Sequence, residues 1–332
     1  MPLKIHFLNV GHGDCTFIEL PSGRLMMIDI NNSTSLPYDD EVALAMQHSL
    51  SLTEFKSMEV AKSASGTYLS KSWEDYYKGL LVDPVDYYNE NFSGQSIFRY
   101  IQTHPDLDHM SGLFRFFWQE KVTLENFWDT DHAKSFVEED FEHSPFEWVN
   151  WLVYQLLRMG HGPNDSTHKA LKKYRNETGD YWTNDQIELL SPTRDLVDTC
   201  NTNGESNDLS YVLRVNYGGR SIIMPGDAEK RAWDSMLAHY GSDDLSCDIL
   251  KASHHGRRSG YHHDAVAAMN PSVVVCSVGK KPATDASAEY ARHGAQVLST
   301  RYNGTITATM WRDGEVWVDD HNGKRIASLP TL

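Results

Sequence analysis

Thr103-His104-Pro105-Asp106-Leu107-Asp108-His109 is the stretch whose reading decides the fold. His104, Asp106, Asp108 and His109 bring imidazole nitrogens and carboxylate oxygens close together in sequence. These are the usual donors to catalytic divalent metals. Residues 97–102, Ile-Phe-Arg-Tyr-Ile-Gln, alternate in polarity and predict a half-buried strand ahead of the cluster. Pro105 disfavours helical backbone at His104. The cluster is therefore expected on a loop at a strand's end. Asp108 and His109 are neighbours and cannot both face inward from a regular element. A tight loop lets His104 and Asp106 serve one cation, and Asp108 and His109 a second. Taken alone, a solvated polar loop is the competing reading.

Three other polar positions also follow directly on apolar strand patterns. They are Asp29 after Met26-Met27-Ile28, Asp227 after Ile222-Ile223-Met224, and His254-His255 after Ile249-Leu250-Lys251-Ala252. Strand ends on one sheet edge are where loops converge into sites. Four such ends, each bearing Asp or His, are poorly explained by solvation. Asp227 is placed to bridge two cations, which in two-metal hydrolases stand about 3.5–4 Å apart.

The remaining segments frame these four. Residues 3–10, 15–20 and 24–30 read as a β-meander, with a glycine turn at Val10-Gly11-His12-Gly13-Asp14. Residues 40–58 have helical spacing, and residues 147–159 read as a strongly apolar helix. From residue 209 a strand–loop–helix rhythm runs to a closing hairpin around Asp313-Gly314. Segments of about 33–95 and 115–200 read as insertions in one domain covering 1–332.

The chain has 332 residues, 40% hydrophobic, enough for a large core. No apolar run approaches the roughly 20 residues that span a bilayer. The N-terminal stretch enters a strand pattern directly. The four cysteines form no CxxC pair and read as buried free thiols of a reducing compartment. A cytoplasmic protein without membrane partners is the expectation. The net charge of −16 argues against a broad basic nucleic-acid footprint. A polyanionic substrate would have to be held locally.

The order of these motifs resembles that of the metallo-β-lactamase-fold hydrolases, and more narrowly the soluble hydrolase domain of ComEC-type competence proteins. Val10-Gly11-His12-Gly13-Asp14 matches VGxGD, and Ile28-Asp29 the following strand end. His104, Asp106, Asp108 and His109 match HxDxDH, the competence-type form of HxHxDH. Gly226-Asp227 matches GD, His254-His255-Gly256 matches HHG, and Asn207 with Ser210 matches Asn-x-x-Ser. The resemblance does not cover residues 33–95 or 115–200. The histidine that many members carry between HxHxDH and GD has no obvious counterpart. His132, His143, His161 and His168 read as surface histidines, leaving Asn207, Ser210 or water near that position.

The resemblance implies an αββα sandwich of two mixed sheets with helical insertions over the metal edge. It implies two divalent ions held by His104, Asp106, Asp108, His109, Asp227 and His255. Asp106 in place of histidine tilts preference from zinc towards manganese or magnesium. Asp108 is expected to serve as both ligand and base, and His254 to orient a ligand or protonate the leaving group. His12 is expected to share the His254 role or to stabilise its turn, and Asp29 to orient a ligand histidine. Arg257, Arg258, Lys280 and Lys281 are the candidate phosphate binders.

The competence-type resemblance implies a nuclease, which hydrolyses phosphodiester bonds of DNA or RNA with a two-metal-activated water, and a small nucleotide is an alternative substrate that suits the acidic charge. Hydrolysis of another phosphoester, an ester or a lactone is the first alternative. A non-catalytic metal-stabilised interaction module is the second. The insertions, including the aromatic helix near Trp148, are a candidate face for a homodimer or another protein.

Overall fold

Alternation in the first segment becomes a two-faced strand. β1 (Leu3–Phe7) turns Leu3, Ile5 and Phe7 into an apolar layer and Lys4 and His6 to the opposite face. The structure, a computed structural model, describes residues 1–32, 35–36, 38–58, 72–277 and 284–332. Two further strands, β2 (Cys15–Glu19) and β3 (Leu25–Ile30), complete the opening meander. β4 (Ile97–Ile101), β5 (Asn126–Trp128) and β6 (Lys169–Leu171) continue from β3 in parallel. On the other side of β1 lie β13 (Ile306–Met310), β14 (Val316–Asp319) and β15 (Arg325–Leu329), all antiparallel. This mixed nine-stranded sheet has the order β15-β14-β13-β1-β2-β3-β4-β5-β6.

The second sheet is also mixed. β7 (Ile187–Ser191), β8 (Val212–Tyr217) and β9 (Arg220–Met224) are antiparallel. β10 (Ile249–Lys251), β11 (Val273–Cys276) and β12 (Gln296–Ser299) extend β9 in parallel. Its order is β12-β11-β10-β9-β8-β7.

The sheets pack face to face. One buried cluster unites Ile5, Met26, Ile28 and Ala308 of the first with Leu213, Ile222, Ile249 and Val273 of the second. Outside the second sheet, Ile223, Leu250 and Val274 meet Trp233, Met236 and Val266 of helices Lys230–Leu237 and His263–Met269. Outside the first, Phe17, Tyr100 and Phe127 meet Phe116, Trp151 and Tyr154. Fully burying one such side chain contributes roughly 1.5–3 kcal/mol. The molecule is thus an αββα sandwich, the architecture that the resemblance implies.

Among the described residues, 38–58 and 72–95 are more regular than their sequence suggests. Helices Tyr38–Gln47, Leu52–Ser57, Trp73–Lys78 and Pro84–Asn91 fill much of them. Ser51 with Glu54 and Ser72 with Asp75 form reciprocal capping boxes, and Asp83 caps a helix beginning at Pro84. Residues 115–200 supply β5, β6 and β7 to the two sheets. Helix Trp148–Leu157 commits Trp151, Tyr154 and Leu157 to the core and leaves Leu152 exposed.

Parallel pairing decides where the chemistry goes. β3, β4 and β5 point the same way, as do β9 and β10. Their carboxyl ends carry Asp29, the His104 loop, Asp227 and the His254 loop. Tyr211 N–H donates to Thr103 O at 3.0 Å, tying the start of β8 to the end of β4. Gly226, at φ +54°, passes so close to Thr103 that a Cβ there would lie 2.8 Å from the threonine Cβ. The two sheets therefore meet at the edge where these loops emerge.

Candidate metal centre

The loop after β4 is fixed by buried hydrogen bonds. Gln102 Nε2 donates to His104 O at 2.9 Å and to His109 O at 3.1 Å, closing the loop on itself. Asp29 takes Thr103 N–H at 2.8 Å and Thr103 Oγ1–H at 2.6 Å. It also takes His109 Nδ1–H at 2.7 Å. The threonine hydroxyl has one proton, spent on Asp29, so it accepts from His104 Nδ1 at 3.0 Å. Both imidazoles are thereby held with Nε2 free to accept a cation. Such support orients ligand histidines and raises their basicity.

Those Nε2 atoms point at Asp227. His109 Nε2 is 3.3 Å from Asp227 Oδ1, and His104 Nε2 is 3.9 Å from Oδ2. His255 Nε2 is 3.4 Å from Asp227 Oδ2 and 3.4 Å from Asp108 Oδ2. His104 Nε2 is also 3.8 Å from Asp106 Oδ2. Asp227 thus stands between all three histidines, with its N–H donating to Ser210 Oγ at 3.2 Å. His104 Nε2, His109 Nε2, His255 Nε2 and Asp227 Oδ1 are buried without a hydrogen-bond partner. Buried polar atoms left this way are rare and call for an explanation. A convergent set of nitrogen and carboxylate donors fits divalent cations.

The electrostatics agree. Burial would push the Asp227 carboxyl up, but the His255 and His109 imidazoles hold it well below the usual range. Burial would push His109 down, but the Asp227 and Asp29 carboxylates drive it well above the ordinary imidazole value. For His255 the same contest, led by Asp227 and Asp14, ends at about 9. Carboxylates here demand positive charge among these nitrogens.

Two groups of potential ligands are tightest: Asp14, His109, Asp227 and His255, and His12, Asp108 and His255. His104, wholly buried, and Asp106, partly exposed, adjoin them. Asp14 is an addition to the expected set. Lys251 Nζ donates to Asp14 Oδ2 at 2.6 Å, and Asp14 Oδ1 faces His255 Nδ1 at 3.7 Å. Its signal lay in the VGxGD turn, read only for its glycines. Gly13 has φ +129°, and a Cβ there would lie 2.3 Å from Asp108 O, so the turn presses directly on the HxDxDH loop.

His254 and His255 both adopt left-handed backbone, at φ +48° and +57°. Non-glycine residues there cost roughly 1–2 kcal/mol each, and such strain concentrates at functional sites. The twist separates the two rings. His255 enters the centre, whereas His254 contacts Glu229 Oε1 through Nδ1 at 2.8 Å. Arg257 donates to His254 Nε2 at 3.2 Å and to His12 Nε2 at 2.8 Å, spanning the two imidazoles. His12 Nε2 lies 3.5 Å from Asp108 Oδ2. Asn207 donates to Glu229 at 3.4 Å rather than approaching the cluster.

Some expected residues stay apart. Arg258 is exposed and pairs with Glu289 at 3.6 Å, so it is not among the groups gathered here. Lys280 and Lys281 lie outside the described residues. None of His132, His143, His161 and His168 supplies the missing histidine. The expectation that all four are surface residues is corrected for His132, which is buried with Nε2 2.6 Å from Tyr154 OH. Lys134 had no sequence signal, yet Lys134 Nζ donates to Asp106 Oδ1 at 2.6 Å. Glu229 likewise had no sequence signal, yet it holds His254 Nδ1.

No family model matches the chain. In sequence, the chain is similar to competence proteins. It is 27% identical to Competence protein ComA of Neisseria gonorrhoeae over 138 residues, 40% of this chain and 19% of that one. It is 30% identical to ComE operon protein 3 of Bacillus subtilis (strain 168) over 105 residues, 30% of this chain and 13% of that one. The chain spans less than a fifth of the length of these curated relatives. Among solved structures it is similar to Igni18, a metallo hydrolase from Ignicoccus hospitalis, at 12% identity and TM-score 0.44, covering 92% of this chain and 98% of that one. Among the described residues, no helix is long and apolar enough to cross a membrane.

Proposed function

We propose that this chain is a divalent-metal-dependent hydrolase of phosphodiester bonds, with nucleic acid or a nucleotide as substrate. The observation that carries the reading is the buried, unpartnered donor set around Asp227. Asp108, His109, Asp227 and His255 would hold one cation, and His104 and Asp106, with Asp227 shared, a second. Two divalent cations supply an acidified water and draw charge from a phosphoryl oxygen. Asp108 Oδ2, close to both His255 and His12, is placed to accept a proton from that water. Glu229 and Ser259 anchor His254 through Nδ1, leaving Nε2 at the rim 3.6 Å from Asp227 Oδ2. That atom accepts from Arg257, so it carries no proton for a departing oxygen, and His254 serves to hold the guanidinium in place. Arg257, beside it, offers a guanidinium fork suited to phosphate oxygens. Similarity to competence proteins supports nucleic acid as the substrate class.

Elemental analysis paired with turnover tests this. The substrates are single-stranded DNA, RNA, duplex DNA and bis(p-nitrophenyl) phosphate, each with Mn, Mg or Zn. The expected result is about two ions per chain and phosphodiester cleavage that is lost in Asp108→Asn. Two ions with no phosphodiester cleavage would transfer the reading to an ester or lactone. A chain that takes up no metal would remove the site assignment itself.

A further inference from the structure

A cavity of about 220 Å³ lies beyond Asp106, outside the cluster of metal-facing atoms. Lys134, Ser206, Asn201, Gly204, Cys200 and Leu209 line it. Its inner wall belongs to the metal centre. Lys134 Nζ donates to Asp106 Oδ1 at 2.6 Å, Ser206 Oγ–H donates to the same oxygen at 3.1 Å, and Lys134 Nζ also donates to Ser206 Oγ at 3.3 Å. An ammonium carries three N–H groups, so these two bonds leave a third. The floor is apolar, and Asn201 and Ser206 make much of the remaining lining polar. Leu209 and Cys200 are buried in the floor, and burial pushes the Cys200 thiol up to about 12, so it stays neutral.

The walls are braced. Asn201 Oδ1 accepts from Ala133 N–H at 2.8 Å and Asn201 Nδ2 donates to Asp131 O at 2.9 Å. These bonds strap the loop carrying Lys134 to helix Arg194–Asn203. Gly204, at φ +73°, ends that helix, and a Cβ placed on it would meet nothing within 4 Å. The cavity thus carries the Lys134 ammonium, paired with Asp106, on one wall and an apolar floor at Leu209 and Cys200. Its volume is below the roughly 300–1,000 Å³ typical of a site for a whole small-molecule ligand. It suits one unit of a larger substrate whose reacting bond lies at the metals.

We propose that this cavity is the subsite for the nucleoside phosphate unit flanking the cleaved bond. The unit's phosphate meets Lys134 and its sugar or base meets Leu209 and Cys200. The proposal rests on the phosphodiesterase reading for its place in the reaction, but the binding it describes is measurable without turnover.

The test is calorimetric titration of the metal-loaded protein with thymidine 5′-monophosphate and, separately, inorganic phosphate. Wild type, Gly204→Asn and Lys134→Gln are compared. Asparagine tolerates left-handed backbone, and its side chain projects into open space. The thermal midpoint and metal content report whether each variant is intact, and Gly204→Asp, which also tolerates left-handed backbone, replaces Gly204→Asn if that variant fails to fold. The expected result is tighter binding of the mononucleotide than of phosphate in wild type. That advantage shrinks at least tenfold in Gly204→Asn, and Lys134→Gln weakens both ligands. Equal affinity for the two ligands in wild type, or an unchanged advantage in an intact Gly204 variant, overturns the subsite. Turnover of bis(p-nitrophenyl) phosphate is followed in parallel on wild type. Turnover without a mononucleotide advantage sinks the subsite alone. A mononucleotide advantage without turnover supports the subsite and sinks the hydrolytic reading alone.

Discussion

Asp29 governs two imidazoles through three hydrogen bonds, so its replacement separates orientation from coordination. Asp29→Asn keeps the size of the side chain, and asparagine accepts the φ of +53° found there. It cannot take Thr103 N–H, the Thr103 hydroxyl and His109 Nδ1–H together as a carboxylate does. Metal affinity is expected to fall by about 10–100-fold, the usual effect of losing such support. Competition with a chromophoric chelator measures it, and unchanged affinity would show that Asp29 does not position the histidines. His132 offers a second prediction at this scale. Burial, reinforced by the Arg158 cation, pushes its imidazole down from 6.5 to about 3. Between those values the unfolded chain binds more protons than the folded one. The contribution of His132 is therefore intact above about pH 6.5 and is lost as pH falls. Its neighbour Asp129 has the opposite sign, because burial pushes that carboxyl up to about 6, so its contribution falls as pH rises towards 6. His132→Gln should flatten the acid loss of stability, read as urea midpoints at pH 7, 5.5 and 4.5. A slope as steep as wild type would refute it.

Among elements, the site depends on how closely one loop rides on another. Gly13→Ala would drive a methyl into the Asp108 carbonyl, both being backbone positions with little freedom. The HxDxDH loop must then shift, and the expected outcome is a folded protein with reduced metal content by elemental analysis. Full content would show that the turn yields instead. β10 contributes differently. Its Lys251 points inward between the sheets and meets Asp14, with both side chains almost wholly buried. Breaking a buried pair leaves an uncompensated charge, which costs about 3–5 kcal/mol. Lys251→Met should lower stability by that order in urea unfolding. The double variant Lys251→Met/Asp14→Asn should recover part of the loss, and no recovery would contradict the pairing.

At the scale of the whole molecule, the centre lies between two sheets and gathers carboxylates from both. Cations bound there favour the assembled sandwich over the unfolded chain. An ion at 100 times its Kd adds about 2.7 kcal/mol, so chelation should lower Tm by a few degrees and added metal restore it. Indifference to chelator would mean that the donor set does not hold metal in solution.

The sequence by itself determined most of the strands and most of the inward-facing donors, because each strand is a local pattern and each donor follows one directly, while the sandwich was implied by the resemblance of the motifs. Asp29, the His104 loop, Asp227 and the His254–His255 pair were legible for that reason. β5 and β6, of three residues each, are too short to show a period, and only sheet pairing defines them. The resemblance already implied His255 as the ligand of the pair, and tertiary structure supplied the reason, two left-handed residues in succession that turn its ring inward and that of His254 away. Tertiary structure alone brought Lys134 to Asp106, Arg257 to His12 and Lys251 to Asp14. Those partners are 28, 245 and 237 positions apart. Local periodicity carries no record of such distances, because they are set by how two sheets built from different parts of the chain close on one another.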